Sequence, residues 1–582
     1  MSTATQTQPA SIHPVSRFFR MIRLDRKDIY YVYLYAIFAG LITLSLPLGI
    51  QAIISLIAGG DISASLVVLV LVVTAGTAFT GALKVMQLTV TETIQRRIFT
   101  RSAFDFAYRL PRLQMDALAG THPPELINRF FDTTTLQKGL PKIIIDFSSA
   151  VLQIFFGLLL ISLYHPLFIF FALALILVLA LIIRVTGPAG LKTSLKESKY
   201  KYEVAYWLEE VARALNTFKL AGNDKQVIQK TDDLLCGYLD NRKKHFSILK
   251  IQYISVVVFK TLITASLLML GSYLVIQNQI NIGQFVAAEI VILLVLASGE
   301  KLILVMETIY DVLTALDKIG AVMDLPLEQT SSLPAGQPVF DRGLQISVRG
   351  LYYRRDPSGK PILDGLDLDI ASGEKVLIAG YNASGRATLM RILSGLYTGF
   401  EGAITYNGFP LRNLDLFELR KYIGDYSIYE DIVKGTILEN ITLGRPDAGM
   451  EEVVAVADRV GLAPYLEQLP EGYQTMLLPA GRNLPQKVRV RLMLARTLLS
   501  DPLLLMAEAF FAGQEQNDRK MIADLFTAPE RNWTLVATSD DPYLASKCDR
   551  IIILENGKIA ASGSFETVRR SPHFKKVFKT VG

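Results

Sequence analysis

The residues with the clearest capacity for chemistry are Gly380-Tyr381-Asn382-Ala383-Ser384-Gly385-Arg386-Ala387-Thr388. They follow a continuous apolar stretch at 376–379 and open into the helical pattern TLMRIL. In a strand–loop–helix context, the GxxxxG spacing turns backbone N–H groups and a helix N-terminus toward one point, which makes an anion site. A working phosphate loop continues with a lysine, which reaches the terminal phosphates, and a Ser or Thr, which ligates magnesium. Here those two positions are Arg386 and Ala387. A second candidate is Glu508, the acid that closes the apolar run 503–507 at a strand end, where a residual general base can stand. No metal site is expected. His13, His122, His165, His245 and His573 have no ligand spacing and are expected in solvated loops, and Cys236 and Cys548 are reduced thiols far apart in the chain.

These groups need elements to position them, and the 582 residues supply two kinds. Hydrophobic residues make up 51% and charged residues 20%, with mean hydropathy +0.33, which excludes a disordered chain and an ordinary soluble enzyme. The net charge of +6 is too weak a field for nucleic acid. The apolar excess lies before residue 310, in runs at 30–57, 66–90, 144–163, 167–185, 253–276 and 283–306. Runs of about 18 or more apolar residues are membrane spans. Pro47 is expected to kink the first, and 15–29, rich in both Arg and Phe, suits an amphipathic elbow.

The connections after spans one, three and five carry no Lys or Arg, whereas 91–142 and 189–250 hold 20 together. That asymmetry puts both termini and the two long connections in the cytoplasm. The long connections read as run-on helices, interrupted only near 119–124 and 187–190, with a short turn-bounded helix near 123–135 and another near 207–219. After a Pro/Ser/Gly-rich stretch at 325–342 the pattern changes to alternating strands. The expected domains are a polar tail and elbow (1–28), a six-span domain (29–322), a linker (323–342) and an α/β domain (343–582).

Four further segments complete the pattern: GAITYNGFPLRNLDLFELRKYIG (402–424), GTILENITLG (435–444), RLMLARTLLSDPLLLMAEA (491–509) and DRIIILENGKIAASGS (549–564). With these the chain, over 20–582, resembles a half-transporter of the ABC exporter family. The resemblance implies an α-helical six-span transmembrane domain followed by an α/β P-loop NTPase-like nucleotide-binding domain, acting as a dimer. It implies ATP and magnesium as cofactors, and cytoplasmic loops that transmit nucleotide-domain closure. The partner is a second copy or another half-transporter. A periplasmic adaptor enters by analogy of layout, and the bacterial inner membrane is the implied location.

Position by position, the family's working residues are replaced. The adenine-stacking aromatic falls at Arg355, the metal-linking glutamine at Ile428, the signature at Leu484-Pro485-Gln486-Lys487-Val488, the metal-orienting aspartate at Ala507 and the switch histidine at Ser539. Phe511-Ala512-Gly513-Gln514 stand where an SALD-like segment does. Phosphoryl transfer relies on positioned charge from lysine and metal, so ATP is expected to bind weakly, magnesium to be held poorly and hydrolysis to be impaired. Two other readings stay open: a weakly active ATP-driven exporter, and a non-transporting membrane scaffold or sensor. Lys260, Glu289 and Glu300 lie in the spans, where charges mark a pair or a pathway.

Overall fold

The computed structural model describes residues 13–58, 64–118, 123–164, 167–328, 338–356, 359–381, 383–427, 432–443, 445–508 and 515–578. The chain divides into two compact units, one of residues 1–111 and 121–325, the other of 112–120 and 326–582.

The first unit is helical: α1 (Pro14–Leu24), α2 (Arg26–Thr43), α3 (Ser45–Ala58), α4 (Ala64–Arg109), α5 (Pro123–Asn128), α6 (Asp132–Tyr164), α7 (Leu167–Arg213), α8 (Leu215–Ala221), α9 (Lys225–Ile276) and α10 (Ile282–Met323). Among the described residues six stretches are long and apolar enough to cross a membrane, α2 and α3 together forming the first. The protein is a multi-pass integral membrane protein. The break expected from Pro47 falls at Leu44. Proline has no N–H for the carbonyl four residues back, which is that of Thr43, and the helix parts there.

Helices α4, α7 and α9 are 46, 47 and 52 residues long. At 1.5 Å per residue they reach about 70–80 Å, more than twice the hydrocarbon thickness of ~30 Å. The long connections are therefore run-on helices, as read, with two differences. The 187–190 step does not interrupt α7, although Pro188 lies inside it. The second short helix is α8, further along than expected and closed by Gly222 in the left-handed conformation.

Packing explains the first difference. A Cβ on Gly190 would stand 2.4 Å from Cζ of Tyr310, so α7 and α10 are in backbone-close contact at this point. Tyr310 is buried, and its hydroxyl accepts a hydrogen bond from Gln252 Nε2 at 2.8 Å. His245 corrects an expectation. It is 1% exposed, with Nδ1 2.9 Å from Thr193 Oγ1, because the connection that carries it is a packed helix rather than a solvated loop.

Helix α10 is the most enclosed of the spans. Gly139 and Gly157 of α6 admit Val312 and Val295 of α10, each at a distance where a Cβ would clash at 2.4 Å. Lys260 pairs with Glu300 (3.0 Å) and Lys301 with Asp146 (2.7 Å), so the span charges tie α9 and α6 to α10. Glu289 is half-buried and has no ion pair among the described residues. Arg17 of α1 lies against Gly320 and pairs with Asp324, fixing the elbow to the end of α10.

The second unit is α/β. An antiparallel sheet, ordered β2-β1-β4-β5, is made of β1 (Ile346–Tyr353), β2 (Leu363–Ile370), β4 (Glu401–Tyr406) and β5 (Phe409–Pro410). A six-stranded sheet is ordered β12-β11-β3-β10-β9-β6, from β3 (Lys375–Gly380), β6 (Ile423–Ser427), β9 (Leu504–Glu508), β10 (Thr534–Thr538), β11 (Arg550–Glu555) and β12 (Lys558–Gly563). A short pair joins β7 (Gly435–Thr436) to β8 (Met476–Leu477). Alternate residues of the central strands enter two cores. Val376, Ile378, Leu504, Met506 and Val536 pack with the antiparallel sheet and with α11 (Arg386–Leu393). Leu377, Ala379, Leu505, Ala507 and Ala537 pack with the helix Gln486–Leu499 and its neighbours.

Residues 112–118 also belong to this unit. Asp116 accepts hydrogen bonds from the Thr398 and Gly399 amides (2.7 and 2.9 Å) and from the Tyr353 hydroxyl (3.0 Å). Gln114 reaches the Pro326 and Leu327 carbonyls.

Gly190→Ala tests the close approach in the helical unit. The added methyl must displace a buried tyrosine, an overpacking cost of about 1–3 kcal/mol. A clear fall in the unfolding temperature of the purified protein in nanodiscs is expected; an unchanged value would show that α7 and α10 are not in contact there.

Candidate functional site

Strand β3 is buried throughout and ends at Gly380. A Cβ on Gly380 would stand 2.5 Å from the Leu554 carbonyl and 2.7 Å from Ser384 Oγ, so only glycine fits the exit from the strand. Ala383 (φ +63°) and Gly385 (φ +99°) are both left-handed, and Leu363 and the Ile362 carbonyl crowd Gly385. Successive turns of this kind point N–H groups into a concavity that favours anions. Ser384 is 4% exposed and its Oγ has no hydrogen-bond partner. Tyr381 is exposed at the rim. Asn382 lies outside the described residues. Helix α11 begins directly at Arg386, its apolar side (Leu389, Met390, Ile392, Leu393) buried under the sheet, with Ala387 exposed and Thr388 half-buried.

Glu508 ends β9. The strand's alternation puts it on the same side as Leu504 and Met506, which is the side that packs α11. Ala507, read as the lost metal-orienting position, belongs to the opposite core with Leu505 and Ala537. The carboxylate on the α11 side of the strand is Glu508. Burial pushes its pKa up, against the opposing fields of Arg391 and Arg386. Burial likewise lowers the pKa of Arg386, whose acidic neighbours are Asp540 and Glu508.

Asp425 was not singled out in the sequence. It sits on β6 opposite Met506, two residues before Ser427, which pairs with Glu508, and alternation puts it on the α11 side. Burial, reinforced by Glu508, pushes its carboxyl up to about 6. An acidic residue inside the short strand IGDYS was the available signal. Arg391 was also missed. Its Nη1 donates to the Tyr397 hydroxyl at 3.0 Å, and that ring stacks on Tyr353 with centroids 5.6 Å apart.

The remaining positions are dispersed into structural roles. Arg355 Nη2 donates to the Tyr397 hydroxyl at 3.4 Å. Pro485 stands at the N-cap of the helix Gln486–Leu499, with Leu484 and Val488 buried and Lys487 paired to Asp518 (3.0 Å). Ser539 is buried and its Oγ accepts the Asp541 amide. Ile428 and Phe511-Ala512-Gly513-Gln514 lie outside the described residues.

The backbone cradle fits the phosphates of a nucleotide. The residues fit magnesium less well. Ala387 offers no oxygen, and Glu508 is faced by two arginines.

The raised Asp425 pKa predicts a stability effect of definite sign. The folded state holds that proton more tightly than the unfolded chain (about 6 against ~3.9), so stability falls as pH rises from about 4 to about 6 and stays reduced above that. Asp425→Asn is expected to raise the unfolding temperature at pH 7.5 by about 2–4 °C, with the gain shrinking toward pH 5. A loss at pH 7.5, or a gain independent of pH, would contradict the assignment.

Comparison with known proteins places both units. The ABC transporter transmembrane region model matches residues 29–298, and the ABC transporter model matches 363–509. The alpha-hemolysin translocation ATP-binding protein HlyB of Escherichia coli O157:H7 is 26% identical over 361 residues, 62% of this chain and 50% of that protein. The leukotoxin export ATP-binding protein LtxB of Aggregatibacter actinomycetemcomitans is 26% identical over 363 residues, again 62% and 50%. The chain thus spans about half the length of the curated relatives it matches. A bacterial Atm1-family ABC exporter with ATP bound shares the fold at TM-score 0.86, with 20% identity, over 95% of this chain and 97% of that one. With a transmembrane region and one nucleotide-binding domain joined in a single chain, the protein belongs to the ABC transporters and has the organisation of an exporter half-transporter.

Proposed function

We propose that the protein is one subunit of a dimeric exporter of the bacterial inner membrane, with both termini cytoplasmic, whose own nucleotide-binding domain turns ATP over slowly or not at all. The observation that carries this reading is the mouth of the phosphate loop. Arg386 replaces the lysine, Ala387 brings no hydroxyl, and the one carboxylate on the loop side of β9, Glu508, faces Arg386 and Arg391. Each missing charge-stabilising group typically costs about 10²–10³ in rate, and several are missing together. Pro485 at the signature adds a second defect, since the dimer's composite site needs glycine backbone there and proline lacks the N–H.

Export as the direction of transport rests on the names of the relatives, which describe translocation and export of protein toxins. A second half-transporter, identical or different, completes the pathway, and a periplasmic adaptor is a further candidate partner. Glu508 gives specific support to a second reading, the weakly active exporter. A carboxylate on the α11 side of β9 stands where it can orient a metal or a water beside the loop.

ATP turnover by the purified dimer in nanodiscs, with magnesium, separates the two. Background turnover, unchanged by Glu508→Gln, is expected. Turnover clearly above background that Glu508→Gln abolishes would replace the impaired reading with the weakly active one.

A further inference from the structure

One set of charges holds the elbow helix α1 to the bundle, and another set is left unanswered. Arg17 pairs with Asp324 at the end of α10. Asp25, buried, takes Arg101 of α4 at 3.3 Å, and Asp28 takes Arg97 of the same helix. Asp25 and Asp28 are the first two acids of the chain, and the next is Asp61. Both are spent on α4. Arg20, Arg23, Arg26 and Lys27 are exposed, and among the described residues their side chains make no ion pair or hydrogen bond.

The setting of these cations is apolar. Along α1 the more covered positions, Pro14, Arg17, Phe18 and Met21, recur at three- and four-residue steps and make one side. Phe19, Arg20, Arg23 and Leu24 make the other, and Phe19 and Leu24 are each 63% exposed. Water would have to hydrate both apolar side chains, and hydrocarbon would strip the two guanidinium groups of their solvent. The headgroup layer of a bilayer offers both surroundings, with long side chains reaching phosphates and rings lying at the acyl boundary. Tyr30 and Tyr31, exposed at the start of α2, mark the same level, because tyrosine gathers at span ends. Asp25 alone separates α1 from the first span, so the chain itself brings this face to the membrane surface.

Charge balance selects among headgroups. A zwitterionic headgroup brings an ammonium with its phosphate, and the carboxylates nearest in the chain are already paired. An anionic headgroup answers the cations without adding one. Arg20 and Arg23 lie three residues apart on one helix face, a spacing that lets both forks reach one phosphate. An acidic protein would meet the same cations, but it would have to displace lipid from Phe19 and Leu24 at the edge of the first span.

We infer that α1 and the start of α2 form a docking surface for anionic phospholipid headgroups, with Arg20, Arg23, Arg26 and Lys27 as the contacts. The cytoplasmic leaflet follows from the proposed topology, and the choice of headgroup does not depend on it.

The test uses the full-length protein in nanodiscs of phosphatidylcholine and phosphatidylglycerol in equal parts. Phe19→Trp puts a fluorophore on the uncovered side of α1, and acyl chains brominated on one lipid or the other quench it on contact. Protein without that substitution supplies the background from Trp207 and Trp533. A cation near an anionic surface is worth about fivefold in binding, so phosphatidylglycerol is expected to quench as though bound about tenfold more tightly or better. High salt should narrow the difference. The quadruple variant Arg20→Gln/Arg23→Gln/Arg26→Gln/Lys27→Gln should bring the two lipids within about twofold. Arg20→Lys/Arg23→Lys/Arg26→Lys, which keeps the charge, should keep most of the preference even where the glutamine variant disturbs the elbow. Equal quenching by the two lipids, quenching by neither, a preference that survives the quadruple variant, or an equal loss on Lys243→Gln/Lys244→Gln, exposed cations of the α9 connection, overturns the inference.

Discussion

A backbone inside hydrocarbon has no water to bond with, so every N–H and C=O must find its partner within the same segment. That constraint shapes the whole helical unit. It makes each span a continuous helix, and once a helix is nucleated each further residue adds a hydrogen bond at little extra entropic cost. The helices therefore continue past the membrane into the polar connections, where sequence alone would allow a turn. The 187–190 step shows the balance. Proline and two glycines favour an interruption, but Gly190 allows α7 close enough to α10 to bury Tyr310, and the helix continues. At Pro47 the preceding turn gives way, and α2 ends at Leu44.

In the soluble unit the equivalent constraint is the two-residue period of a strand. It decides which side chains β9 and β6 can show to the α11 side of the sheet, Glu508 and Asp425 among them, and puts Ala507 in the opposite core. The chemical character of the site follows from that sorting. Two carboxylates come onto the face that α11 covers; Arg386 and Arg391 face Glu508, while burial and Glu508 push the Asp425 carboxyl up.

The spans were legible because apolar runs of that length have one common explanation, and the strand–loop–helix was legible because the spacing of Gly380 and Gly385 carries its own geometry. What stayed hidden depends on contacts distant in sequence. Asp116 looks like any acid in a polar connection until Thr398, Gly399 and Tyr353 converge on it from the soluble unit. His245 looks solvated until the connection proves to be a packed helix. Asp425 and Arg391 gain meaning only from neighbours that β9 and Tyr397 provide. Motif matching puts the metal-orienting position at Ala507, whose side chain lies in the core with Leu505 and Ala537.

The substitutions around the loop are better understood as one exchange than as separate losses. The loop keeps its backbone geometry, Arg386 keeps the single positive charge of the lysine position, and Ala387 brings no oxygen for a metal. Guanidinium and a divalent cation both neutralise phosphate, but only the metal also polarises the transferring group and orders the attacking water. A site built on arginine can therefore hold a triphosphate and still lack the means to cleave it, which separates occupancy from turnover in the domain's physical chemistry.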